Sequence, residues 1–375
     1  MASHPMSSTR SARRRPHGAR AWALQPLVAA LALAMPLQVL SQASKVPVPA
    51  VAGWRVYGSG PSSLPSLTPR VDGGIDMRIN QTSPRAIYNW QSFNIAADSS
   101  VTFDMPVSGG SALNRVVGGE PSQILGRLSA THGGEVLLYN RNGILFGGNA
   151  RVDVGSLVAT TLNPRDADFK AGFTANITGG AAAFAWDGAA ADFVDSKSYV
   201  RLDAGAQIST AEGGRVALYA RRVDNAGSIS TPGGQTILAG GAEVYYKLPT
   251  AEKLYASEAN PDVPALRGLL VEVGSAGLGA QGRGSVSNTA TGVISTPRGN
   301  TTLVGMAVNQ EGRISATTSV SQNGSILLLA QGQAPDALRD SITPGDPRYK
   351  RAAQSGELVL GAGSRTEIAA DNRGA

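Results

Sequence analysis

A short phrase returns at a nearly fixed interval. Ile208-Ser209-Thr210 recurs 21 positions on as Ile229-Ser230-Thr231, and Ile294-Ser295-Thr296 recurs 20 positions on as Ile314-Ser315-Ala316. Two copies extend to Ile-Ser-Thr-Pro, ending at Pro232 and Pro297. Gly or Asn follows, and then a short apolar run at 216–219, 237–239, 303–305 and 326–330. The unit reads as Gly, short strand, turn, short strand. One such unit cannot bury its own apolar face. Stacked units can, because like strands align about 4.8 Å apart and their Ile, Val and Leu form columns. Self-similarity near 20 residues with β-branched strands therefore predicts the coils of a parallel β-helix. An antiparallel sandwich with regular turns is the alternative. The near-identical tetrapeptides favour the helix, where like stacks on like.

Composition supports an all-β solenoid. The 375 residues include 46 Gly and 21 Pro, which break helices almost everywhere, and only 5% aromatics, which suits a narrow bore. The chain has no cysteine, which removes disulfides, thiol nucleophiles and cysteine metal sites together. His132 is the one histidine beyond the leader, so neither a His-rich metal site nor a His-based triad is expected. No metal and no cofactor is predicted. Five of the 33 basic residues lie in the first 43 positions, which hold no acid, leaving 28 basic against 27 acidic groups elsewhere. The body has no electrostatic case for binding nucleic acid.

Residues 1–43 read as a signal peptide: Arg13, Arg14, Arg15 and Arg20, an apolar stretch at 21–40, then Ser41-Gln42-Ala43. Pro26 and Pro36 and the small-residue exit weigh against a membrane anchor. The mature chain, from about Ser44, is expected to be exported. Export without cysteine points to a Gram-negative envelope route.

Along the mature chain, Ile75, Met77 and Ile79, and then Val101, Phe103 and Met105, alternate with the period of half-buried strands. Asp72-Gly73-Gly74 and Ser108-Gly109-Gly110 mark turns. Two stretches interrupt the coils. Residues 163–197 are Ala-rich and irregular, and 249–264 include a predicted short helix at 250–259. Both read as excursions from the solenoid. Coil-like runs resume at 357–360 and 365–368, with no amphipathic cap after them. That pattern suggests a truncated chain, or a short version of a longer fibre.

The stretch 114–161 carries the most specific signal. It contains Asn114-Arg115-Val116, Ile124-Leu125-Gly126, Gly133-Gly134-Glu135-Val136, Asn140-Arg141-Asn142-Gly143-Ile144-Leu145-Phe146-Gly147 and Val154-Gly155-Ser156-Leu157-Val158-Ala159-Thr160-Thr161. It resembles the N-terminal two-partner secretion (TPS) domain of filamentous haemagglutinin-like exoproteins. That family carries an Asn-Pro-Asn-Gly-Ile core, matched here by Asn140, Asn142, Gly143 and Ile144, with Arg141 where Pro is usual. Asn89-Trp90 and Phe93-Asn94-Ile95 upstream, and Gly268-Leu269-Leu270-Val271-Glu272-Val273 downstream, also look like the family. A second Asn-Pro-Asn-Leu block of some members is missing, which places the chain nearer the adhesins.

The resemblance implies a right-handed, single-stranded parallel β-helix with an N-terminal β cap and extra-helical hairpins. Its parts would be 1–43 signal peptide, 44–268 secretion domain and 269–375 continuing repeats. It implies recognition by a cognate outer-membrane β-barrel with periplasmic POTRA domains, through strand addition, and release as an adhesin-type exoprotein at the cell surface or in the medium. A host cell surface or host protein is a possible further partner. The alternative is a capture protein for a host or nutrient carrier, as in haem-acquiring members. Asn114, Arg115, Asn140, Asn142, Gly143, Ile144 and Phe146 are the secretion-motif residues, expected to act structurally.

Other signals point less far. Gly277-Leu278-Gly279-Ala280-Gln281-Gly282 is formally GxGxxG, but a turn and strand follow it where a dinucleotide site needs a helix. Asp166, Asp168, Asp187, Asp192 and Asp195 form a loose acidic group, the candidate carboxylates of a β-helical glycan-active enzyme, a less favoured reading. His132 reads as a turn residue, and Trp90 and Trp186 as core or cap residues.

Overall fold

The computed structural model describes residues 44–51, 53–58, 64–106, 109–179, 181–194, 198–247, 268–319, 323–333 and 353–371. The predicted signal peptide at 1–43 and the predicted helix at 250–259 lie outside the described residues, as does Asp195.

The described chain is a parallel β-helix. Each regular coil lays down three strands, one on each of three faces. Arg215–Ala220, Arg222–Asn225 and Ser228–Ser230 make one coil. The next repeats it with Gln235–Gly240, Ser285–Asn288 and Val293–Thr296, each parallel to and in register with its predecessor. The stack of the first face runs from Arg85–Ser92 to Ser325–Gln333. The repeated phrase falls where like meets like: Ile208, Ile229, Ile294 and Ile314 stack in one column, continuing Met77, Val101, Leu128 and Val152. All of these are buried. The Thr of the phrase also points inward, where the Thr231 hydroxyl pairs with Thr236 at 2.9 Å and Thr296 with Thr301 at 3.1 Å.

The sequence reading has two strands per unit; the structure has three. The unread strand follows the first after a single residue, Arg221 between Ala220 and Arg222. In this coil that corner carries no Gly or Pro, so nothing punctuates it. The corner that returns to the first face is punctuated because geometry demands it. A Cβ on Gly234 would run into the carbonyl of Gly214, and one on Gly299 into that of Gly234.

The N-terminal end is closed by an antiparallel cap. Val48–Pro49 and Arg55–Tyr57 pair with Arg85–Ser92, and Ser66–Pro69 pairs with Ile75–Asn80. Beneath it sits an aromatic plug of Trp54, Tyr88, Trp90 and Phe93, with ring centroids 5.2 Å (Trp54–Tyr88), 5.9 Å (Trp54–Trp90) and 5.4 Å (Trp90–Phe93) apart. Burial pushes the Tyr88 phenol up to about 12. The few aromatics are thus concentrated at the cap and in the outer layer, leaving the later bore to Ile, Val and Leu.

Both excursions depart from one corner, between the first and second faces. One leaves after Ser156–Thr160, the other after Gln235–Gly240. They meet in a four-stranded antiparallel sheet of Asn163–Pro164, Phe184–Ala185, Glu243–Lys247 and Leu270–Gly274. Short helices at Asp166–Lys170, Thr174–Gly179 and Ala190–Val194 complete the first. This layer covers the outward side of the first face. Ile87, Leu113, Leu137, Val158, Ala217 and Ile237 pack there against Phe184, Tyr246, Val271 and Val273 as a second core. The first face is therefore buried on both sides, and its strands read as nearly continuous apolar runs. At the other end of the stack, Glu357–Leu360 and Arg365–Ala370 are the last described strands, with Leu358, Leu360 and Ile368 exposed.

Candidate functional site

The motif residues lie on two neighbouring coils and divide by direction. Strand alternation sends Asn114 and Arg115 to opposite sides of Ser111–Val116. Asn114 points into the bore and is fully buried. Its Oδ1 accepts the Trp90 indole N–H at 2.9 Å, and its Nδ2 donates to the carbonyls of Ala112 (3.2 Å) and Leu137 (3.3 Å). It thereby joins the aromatic plug to the next coil. Ile144 and Phe146 also point inward, with no exposure.

Asn140, Asn142 and Gly143 form the corner after strand Glu135–Tyr139. The Gly143 N–H donates to the Asn140 carbonyl at 3.2 Å, closing a four-residue turn. The Asn140 side chain braces it twice: its Oδ1 accepts the Asn142 backbone N–H at 3.0 Å, and its Nδ2 donates to the Glu120 carbonyl and Ser122 Oγ, each at 2.9 Å. Asn142 Nδ2 donates to the Gly118 carbonyl at 2.9 Å. The two asparagines thus fasten this corner to the one below. Gly143 takes φ +113°, outside what a side chain accepts readily, while Asn142 keeps negative φ. Arg141 occupies the second turn position, where Pro is favoured.

Arg115 works on the outer side. Its Nη2 donates to Asp166 Oδ1 at 2.7 Å and to the Pro164 carbonyl at 3.2 Å, and its guanidinium lies 5.9 Å from the Tyr139 ring centroid. Tyr139 is the register partner of Arg115 one coil on. Its hydroxyl donates to Asp187 Oδ1 at 3.1 Å, and Asn163 Nδ2 donates to the other carboxylate oxygen at 2.6 Å. Burial, reinforced by the Asp187 charge, raises the Tyr139 phenol far above its usual range. Arg115 and Tyr139 together clamp the first excursion onto the motif coils.

Sequence reading named Arg115 but missed Ser122, Tyr139 and the carbonyls of Gly118 and Glu120. Ser122 lies 18 residues before Asn140, close to one coil, and a search at the repeat period would have found it. Tyr139 and Asp187 lie 48 residues apart, and no local pattern joins them.

The acids of the excursion do not converge. Asp166 binds Arg115, Asp168 binds Arg165 at 2.7 Å, and Asp187 binds Tyr139 and Asn163. His132 sits on a turn with φ +53°, its Nδ1 2.9 Å from the Met105 carbonyl. Trp90 and Trp186 are both buried. Within the GxGxxG stretch a single 3₁₀ turn, Gly279–Gly282, leads into strand Ser285–Asn288, with no helix to face a pyrophosphate.

Comparison with known proteins agrees with this geometry. The TPS secretion domain family matches residues 68–328. Two curated relatives, both heme/hemopexin-binding proteins of Haemophilus influenzae, are 42% identical over 85 residues and 41% identical over 88. These matches cover 23% and 24% of this chain, and 9% and 10% of the relatives. The chain therefore spans about a tenth of their length. Among solved structures, the secretion domain of HMW1 from Haemophilus influenzae superposes with a TM-score of 0.54 at 22% identity. That match covers 75% of this chain and 63% of the other, and shares its β-helical fold.

Proposed function

This chain belongs to the TPS secretion domain family, whose members are secreted by Gram-negative bacteria through the outer membrane, and we propose that its first coils are the part its cognate outer-membrane transporter reads. The observation that carries this is the in-register parallel stack. Each coil takes its hydrogen bonds from the coil before it, and the N-terminal end is closed by cap and plug. A chain emerging N-terminus first has a finished template before later coils arrive. The same strands, while unfolded, offer open edges for strand addition to the transporter. Folding outside then draws the rest outward. The asparagine corner at 140–143 and the Arg115 clamp fix the template.

The test is an immunoblot of medium and periplasm, with and without the transporter, for two deletions. Removing 312–375 shortens the solenoid and should still reach the medium. Removing 75–95 takes away the strands the cap pairs with and three of the four plug rings, and the product should stay in the periplasm. Secretion of the second equal to the parent, or of the parent without a transporter, sinks the proposal.

Beyond export, we propose an adhesin-type exoprotein without enzymatic activity. Asp166, Asp168 and Asp187, tied to a base, a base, and a phenol and an amide in turn, support the second point. A second reading is capture of a host carrier protein, favoured by the named binding of the relatives. Binding to immobilised hemopexin, set against adhesion to cultured epithelial cells, separates the two.

A further inference from the structure

The first excursion follows the motif coils in the chain but reaches back to the N-terminal cap. Its first helix, Asp166–Lys170, lies over the outward side of the earliest strands, where the buried Phe169 shares one apolar cluster with Ile87 and Leu113. At the end of that helix Lys170 Nζ stands 4.7 Å from the centroid of the Tyr57 ring. Tyr57 ends the cap strand Arg55–Tyr57, which pairs with Arg85–Ser92. Two residues on, Gly172 lets a guanidinium come close: a Cβ there would stand 2.7 Å from Arg85 Nη2. Arg85 opens the strand on which the cap rests. Lys170 and Gly172 therefore meet both partners of the cap's pairing, Tyr57 on one strand and Arg85 on the other.

The chain reverses at this point through a strained turn. Gly172 and Phe173 are consecutive left-handed residues, at φ +67° and +60°. Glycine adopts that geometry freely and phenylalanine does not. Such strain persists only where the surroundings over-determine it. The Phe173 ring stacks on Phe184 at 5.1 Å and meets Tyr246 edge-on at 6.0 Å. Phe184 in turn packs against Tyr219 of the first face at 5.2 Å. The turn thus joins two anchored sides, an aromatic stack seated on the coils and the contacts at the cap.

We propose that the first excursion is a strap that locks the N-terminal cap, with Gly172-Phe173 as its fixed bend. The cap strands Val48–Pro49 and Arg55–Tyr57 are short and partly exposed, so their pairing alone leaves the cap easy to open. A single cation over an exposed ring adds little. The strap holds because Phe173, anchored away from the cap, fixes where Lys170 and Gly172 stand. In a chain that leaves N-terminus first, the cap stays openable until the excursion has followed it. The lock needs no transporter, so it stands or falls apart from the export reading.

Hydrogen–deuterium exchange of the purified full chain, read over 48–57 and over 300–318, tests this. Lys170→Gln should speed exchange at 48–57 about threefold, while Lys170→Arg, which keeps a cation over the ring, should exchange like the parent. Phe173→Ala should speed it by about tenfold or more. The ring partners lost there are Phe169, Phe184 and Tyr246, none of them in the cap. Exchange at 300–318 should match the parent in every variant. If Phe173→Ala fails to fold, Lys170→Gln and Tyr57→Leu decide, and their double variant should exchange no faster than the faster single. Unchanged exchange at 48–57 in folded Phe173→Ala overturns the proposal. So does equal acceleration of both regions, Lys170→Arg as fast as Lys170→Gln, or a double variant that adds the two single effects.

Discussion

Gly143 and Arg141 are two residues apart and carry opposite expectations. Gly143 holds φ +113° at the close of the asparagine corner. Gly143→Val places a β-branched side chain there, and the strain should cost about 2–3 kcal/mol. Urea unfolding should show a lower midpoint with an unchanged slope. Arg141 sits where a turn wants φ near −65°, and its N–H serves none of the turn's hydrogen bonds. Arg141→Pro should raise stability by about 0.4–1 kcal/mol by restricting the unfolded chain. A lower midpoint would mean that the stem of Arg141, which reaches toward Gly188, matters more than the backbone. The Asn-Gly pair was legible as a turn. The braces from Asn140 to Ser122 and from Asn142 to Gly118 cross between coils, so they show only in a search at the repeat period.

The element-scale feature that most rewards a test is an amide ladder inside the second face. Asn225 Nδ2 donates to Asn288 Oδ1, and Asn288 Nδ2 to Gln310 Oε1, each at 2.8 Å and fully buried. Below them the same column is Phe146 and Leu202, and above it Leu360. Asn288→Leu should cost about 2–4 kcal/mol, because it strands a donor on Asn225 and an acceptor on Gln310 in the bore. Replacing all three by Leu extends the apolar column but also unpairs the Gly227 N–H and the Gly312 carbonyl, and should recover part of that loss. Thermal melts of the single and triple variants decide it; a triple variant less stable than the single would refute the account. The structure puts the ladder on an inward strand position, which shows only once the register is known.

For the whole molecule, the outer layer is separable from the coil in topology and not in energetics. The second excursion leaves at Gly240 and returns at Ser285, two residues that would collide if Gly240 carried a Cβ. Excising 242–284 leaves Gly241 as a one-residue corner, the same as Arg221 in the coil below. The β-helix should therefore persist, with a β-dominated circular dichroism spectrum. The outward side of the first face would lose Tyr246, Val271 and Val273, exposing Phe184, Tyr219 and Ile237. Strong binding of a hydrophobic dye and a lower melting temperature are expected; a helix-rich or unfolded spectrum would overturn this. Leu270–Gly274 belongs to that layer, and we propose that the secretion unit extends beyond 268.

By itself the sequence determined the solenoid. A repeated phrase forces like residues into register, and a glycine is obligatory wherever one coil's turn presses on the next, so both leave marks at a fixed period. It also determined the asparagine corner, a local turn with its own residue chemistry. Only the tertiary structure decided the third strand of the coil at 215–230, whose corner is Arg221 alone, without Gly or Pro. It alone decided the pairing of the two excursions, where Phe184 meets Val244 in register. Contacts between segments that far apart depend on where the coils carry them, and no period in the chain records that.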